Sequence, residues 1–138
     1  GIHVRYDPQL GLYDAKTPAD ALPMLRAIRA ERGDRLIQFD RGPDDANFGF
    51  DWNYLVRKSA LHYDFYYLGR LAEIEEQKRR DAIAEAVIGG IDAGRVADSA
   101  RRDMAGLGAT LVIRRDRLGA VPGWSVMHDY GAWVEVRP

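Results

Sequence analysis

Four residues near the middle of this 138-residue chain have the types that acid-base chemistry needs: Asp51, Arg57, His62 and Asp64. An imidazole oriented by a carboxylate, here from Asp64 or Asp51, is a usable general base, and a guanidinium holds an anionic group or a developing oxyanion. They converge only if the surrounding chain is extended. Phe48, Phe50, Trp52, Tyr54 and Val56 alternate without a gap, and after Arg57-Lys58-Ser59-Ala60 the alternation resumes at Leu61, Tyr63, Phe65 and Tyr67. That is the period of strands with one apolar face. We therefore expect an aromatic β-hairpin over 48–67, whose second face carries Asp51, Asn53, Arg57, His62, Asp64 and Tyr66. The wet face of any antiparallel sheet has the same pattern. Trp52, Leu55, Val56 and Ser59 also fit one side of a helix, which is the competing reading.

His128, Asp129 and Tyr130 are the secondary candidates. With Trp133 and Arg137 they resemble the His-bearing hairpin that ends small microbial ribonucleases. The likeness spans about ten residues and lacks a glutamate on a preceding strand to act as base, so we take it as coincidence. A second likeness concerns context. The run from Arg5 to Tyr13 resembles the Tyr-Asp-Pro-x-x-Gly-x-aromatic segment of bacterial Rhs-type repeat proteins, whose variable C-terminal ends are often toxins. It departs at Asp14-Ala15-Lys16-Thr17-Pro18, where those proteins continue to Asp-Pro, and we do not assign the chain to them.

Other chemistries find no footing. There is no cysteine, which removes disulfides, thiolate metal sites and cysteine nucleophiles. The acidic run Asp40, Asp44, Asp45, Asn47, Asp51 invites a calcium loop, yet counting from Asp45 puts Phe50 where the EF-hand needs Gly and Val56 where it needs Glu. Pro43-Asp44 with Glu76-Gln77-Lys78 copies the letters of a metal-dependent nuclease core, but the second part lies in a strongly helical polar run. His3, His62 and His128 share no ligand spacing. No phosphate loop or Gly-x-Ser-x-Gly elbow is present, so no metal or cofactor is expected.

The formal charge of −1 is evenly spread, nine Lys/Arg against ten Asp/Glu over 1–69 and eleven against eleven over 70–138. No broad attraction to nucleic acid or acidic lipid follows. No apolar run approaches the roughly 20 residues of a spanning helix, so a soluble chain is expected, cytoplasmic or secreted as part of a larger protein. Its first residue is Gly rather than Met, and we expect a piece excised from a longer chain.

The positioning elements follow from pattern. A strand is expected over 2–6, a turn over 7–11 and a loop to Pro18. A helix capped by Asp20 should bury Ala21, Leu25 and Ile28 and stop at Gly33. Residues 35–40 read as a short strand. A long, partly exposed helix from 68 should close at Gly89-Gly90, with Glu75–Arg79 and Glu76–Arg80 pairs along it. Asp92 should cap a further helix with Val96, Ala100 and Met104 inward. Strands at 110–114, 124–128 and 132–136 end the chain, with Ala132, Val134 and Val136 on one face of the last and a hairpin turn at Asp129-Tyr130-Gly131. The expectation is a single α+β domain over 1–138, with a mainly antiparallel sheet of about five to seven short strands packed against two or three helices. The function these residues favour is a small bacterial effector or toxin-type hydrolase of phosphodiester or glycosidic bonds; the alternative is a noncatalytic protein-binding module, such as a virion component or immunity-type protein. The module would hold a protein partner on the aromatic hairpin or on helix 68–90.

Overall fold

The computed structural model describes residues 4–41, 50–61 and 70–138, with the backbone alone for Phe50 and Asp51. Val4–Asp7 (β1) and Gly11–Asp14 (β2) form an antiparallel ribbon in which Tyr6 faces Leu12. Asp7 closes its turn: Oδ1 accepts the amides of Gln9 and Leu10 at 2.8 and 3.1 Å, and Oδ2 takes the Arg26 guanidinium at 2.6 Å. β2 replaces part of the loop expected there, because four residues are too few to show a period and pairing with β1 makes the strand.

Leu22–Ala30 (α1) carries Pro23 in its first turn and buries Met24, Leu25 and Ile28. Asp20 does not cap it. Ala21 is the N-cap, without a side-chain bond, and Asp20 instead accepts Trp133 Nε1–H at 3.4 Å and faces Arg114 at 3.7 Å. Leu36–Phe39 (β3) is the strand expected over 35–40.

The main correction falls on the next segment. Phe50–Val56 is a helix (α2), and Ser59–Ala60 (β4) is a two-residue strand, so the first arm of the expected hairpin does not exist. Helical spacing puts Trp52 and Val56 on one side, where Trp52 meets Phe39 and Trp133 edge-on with ring centroids 5.6 and 5.2 Å apart. A strand would have set Tyr54 beside them; on the helix it is 87% exposed. Positions 48, 49 and 62–67 of the expected hairpin lie outside the described residues.

Leu71–Ala93 (α3) runs through Gly89-Gly90 rather than ending there, and stops at Gly94 with φ 96°. The pair serves packing. A Cβ on Gly90 would lie 2.8 Å from Val96 Cα and 2.9 Å from the Arg95 carbonyl oxygen, so only glycine lets the next turn approach. Asp92 therefore sits in the last turn of α3 and caps nothing. Glu76 pairs with Arg79 rather than Arg80, which donates to the Ala60 carbonyl at 2.6 Å. Asp98–Gly106 (α4) buries Ala100 and Met104. Thr110–Arg114 (β5), a 3-10 segment Arg115–Ala120, Ser125–Asp129 (β6) and Trp133–Arg137 (β7) complete the chain.

The strands form one five-stranded sheet of order β4-β3-β5-β7-β6 beside the β1-β2 ribbon. β3 is parallel to β4 and β5, and the other pairings are antiparallel, the ribbon included. One face packs Ile37, Phe39, Val112 and Trp133 under α1 and α2; the other packs Leu111, Ile113, Val134 and Val136 under α3 and α4. With both faces covered, Trp133, Val134, Glu135 and Val136 are all buried, whereas alternation implied a wet side for β7. Because α2 crosses on one face and α3 and α4 on the other, the winding reverses between β3 and β5. Their carboxyl ends make a topological switch point. Among the described residues no helix is long and apolar enough to cross a membrane.

Candidate functional site

The end of α2 is built around a residue in the wrong conformation for its type. Lys58 N–H donates to the Asn53 carbonyl at 3.1 Å and Arg57 N–H to Tyr54 at 3.3 Å, the paired bonds of a Schellman motif, with Arg57 in the left-handed position at φ 59°. Glycine is the usual occupant. Among the described residues Arg57 is the single non-glycine with positive φ, and an L side chain costs about 1–2 kcal/mol there. Asn53 anchors the helix from below, its buried Nδ2 donating to the carbonyls of Ile37 and Ser59 at 2.9 and 3.1 Å.

This end of α2, with the turn and second strand of the β1-β2 ribbon, walls a groove of about 620 Å³. Leu10 and Leu12 form its apolar side, and Tyr54 and Arg57 stand at the other. Arg29 donates to the Leu55 carbonyl at 2.6 Å, and Lys58 to that of Glu31 at 3.0 Å. Both cations therefore bond neutral oxygens rather than carboxylates. The Arg57 guanidinium has no hydrogen-bond or ion-pair partner among the described residues. Among the described residues Asp34 is the one carboxylate in the lining. It accepts the Ser59 amide at 2.7 Å and the Ser59 hydroxyl, and these bonds hold its carboxyl below the usual range. Such a groove offers cations and an aromatic edge, and its described carboxylate is spoken for.

No family model matches this chain, and no curated protein or solved structure does. Function therefore rests on the site alone.

Of the residues read as a hairpin site, Arg57 lines the groove, Asp51 lies on α2, and His62 and Asp64 fall outside the described residues. Asn53, expected on a wet face, is buried. In the terminal hairpin, the exposed His128 ring stacks on Tyr130 at 5.9 Å and 28°. Asp129 pairs with Arg115 and accepts the Gly131 amide at 2.9 Å, and the Arg115 contact keeps its carboxyl below the usual range. Tyr130 donates to Glu135 Oε1 at 3.1 Å, and burial pushes its phenol up. These groups fasten the hairpin. Glu135 is the nearest thing to the missing base of the ribonuclease-like ending, but it is fully buried and surrounded by donors.

Asp40 was legible only as part of an acidic run. It follows Phe39 at the carboxyl end of β3, with no exposed area, at the switch point. Oδ2 lies 3.3 Å from Arg117 Nε as an ion pair and 3.4 Å from the Arg114 amide, while Oδ1 accepts no hydrogen bond. Asp92 joins Arg41 and, at 2.5 Å, Arg117. Burial pushes the Asp40 carboxyl up to about 6 against the pull of Arg117. Among the described residues no group of three or more His, Asp or Glu is placed to hold a metal ion.

Proposed function

We propose that this domain is a noncatalytic binding module that takes a segment of a partner protein into the groove between the β1-β2 ribbon and the end of α2. The observation that carries the reading is Arg57, a guanidinium with no partner among the described residues, on a left-handed backbone beside a Tyr54 that is 87% exposed. Strain of this kind persists where the side chain has a use the fold alone does not supply. Arg and Tyr are the residue types that most often dominate binding energy at interfaces. The groove is within the size range of sites that take a compact ligand or a few side chains. The test is a selection of random peptides on the intact domain, with a Tyr54→Ser, Arg57→Ser double variant as counter-target. Peptides that bind the domain and lose the variant support the module; peptides that hold both equally, or no enrichment, refute it.

A hydrolase of phosphodiester or glycosidic bonds is the second reading, favoured by Asp40. A carboxyl that titrates near neutrality, with an unpaired oxygen at a switch point and Arg117 beside it, has the attributes of a general acid or base. The same reading keeps His62, Asp64, Asp51 and Arg57 as acid-base and anion-holding groups. Release of 4-nitrophenolate from bis(4-nitrophenyl) phosphate or from 4-nitrophenyl glycosides, abolished by Asp40→Asn or His62→Ala, is the expected result. Turnover that survives both substitutions removes it.

A further inference from the structure

We infer that the segment held in the groove is acidic and carries an aromatic or bulky apolar side chain next to its carboxylates. This rests on the binding reading above and adds the chemistry of the occupant. Among the described residues three cations line the groove, Arg29, Arg57 and Lys58, against one carboxylate, Asp34. Asp34 makes no ion pair with any of the three; its oxygens accept from Ser59, and its charge acts on Lys58 at longer range, leaving a net excess of two positive charges. Arg29 and Lys58 each donate to a neutral carbonyl, of Leu55 and Glu31, which uses one donor of each and adds no counter-charge. The carboxyl end of α2 adds partial negative charge here. Arg29 sits on it, and the three positive charges outweigh it even after the charge of Asp34 is subtracted.

The apolar side sets the rest of the ligand. Leu12 is largely exposed, and Tyr6 lies directly opposite it across the ribbon, so the two form one strip on the same face that leads out of the groove. An apolar or aromatic residue on that strip and at Tyr54 would place carboxylates two or three residues away over Arg57, with the buried Lys58 charge behind it. A nucleic acid fits less well. The chain has a net charge of −1, and phosphate binding draws on many cations rather than a local three.

The experiment uses fluorescein-labelled glutamate-tyrosine copolymer as probe, with lysine-tyrosine copolymer and polyuridylate as comparators, read by fluorescence anisotropy on the intact domain. Binding of the acidic copolymer that weakens with added salt, and that falls about 5- to 10-fold in Arg57→Gly and in Tyr54→Ser, supports the inference. Arg57→Gly keeps the fold because glycine suits the backbone there, so its loss reports the side chain. If the lysine-tyrosine copolymer binds instead and Tyr54→Ser weakens it, the groove stands and its acidic preference is overturned. If polyuridylate binds as tightly as the acidic copolymer, the peptide preference is overturned. If no probe binds, or both variants bind as the parent does, the binding reading falls as well.

Discussion

The guanidinium of Arg35 clamps the carboxylate of Glu135 with Nε–H and Nη2–H at 3.0 and 2.7 Å, joining the start of β3 to the middle of β7 across β5. Thr110 donates to the same carboxylate at 2.7 Å and Tyr130 at 3.1 Å. Burial pushes the Glu135 carboxyl up, but these donors together outweigh it and hold the group below its usual range. Glu31 holds the other side of Arg35. A charge with no exposed area is thus fully partnered, by three side chains from β5, from the terminal turn and from just before β3.

Removing that carboxylate leaves Arg35 half-buried with one partner and Thr110 and Tyr130 with none. Glu135→Ala is expected to cost about 3 kcal/mol, at the low end for a broken buried pair because Glu31 remains. Thr110→Val should cost about 1 kcal/mol. Urea unfolding checks both, and a midpoint for Glu135→Ala within error of the parent would refute the network's role.

Arg57→Gly removes the left-handed strain and retains both bonds of the Schellman motif. We expect a gain of about 1 kcal/mol in stability, seen as a higher melting temperature. Arg57→Ala, which keeps the strain, should give no such gain.

The two glycines inside α3 predict opposite signs. Gly89 has open space around its Cβ position, so Gly89→Ala should stabilise the helix by up to about 1 kcal/mol. At Gly90 a Cβ meets backbone atoms at 2.8 and 2.9 Å, which cannot swing aside. Gly90→Ala should destabilise by about 2 kcal/mol as α3 and the following turn are forced apart. Thermal melts of the pair decide it.

Asp40 makes a pH prediction of unusual sign. Its folded value of about 6 lies above the ordinary 3.8, so the native state binds the proton more tightly than the unfolded chain. Its contribution favours folding at low pH and is lost as pH rises from about 4 through 6, by an amount on the order of 1–3 kcal/mol. Asp7, Asp34, Asp92, Asp129 and Glu135 are held below their ordinary values and act in the opposite direction. The difference between the parent and Asp40→Asn isolates the term. Relative to the parent, Asp40→Asn should gain stability between pH 4 and pH 7; a flat difference would show that Asp40 does not titrate there.

Much of the fold could be read from local pattern, because some elements meet one face of the core with one period. α1, β3, β5 and the terminal hairpin lie close to where periodicity, turn residues and glycines place them, whereas α4 begins at Asp98 and leaves Val96 in the preceding turn; the α+β architecture follows from their order. At residues 50–56, apolar side chains at nearly every second position also satisfy a helix. Only contact of Trp52 with Phe39 and Trp133 selects the helix, and that choice moves Tyr54 and Arg57 to the rim of a groove. Gly89-Gly90 has the composition of a stop signal, yet closeness to Val96, a tertiary fact, makes it helix interior. Asp40 and Glu135 have the composition of surface carboxylates. Their burial depends on helices covering both sheet faces and on arginines brought from 77 and 100 residues away. Sequence by itself determined which segments repeat at 2 or 3.6, since that period belongs to the backbone. The tertiary structure alone decided which charges are buried, because desolvation and pairing depend on neighbours that local sequence does not contain.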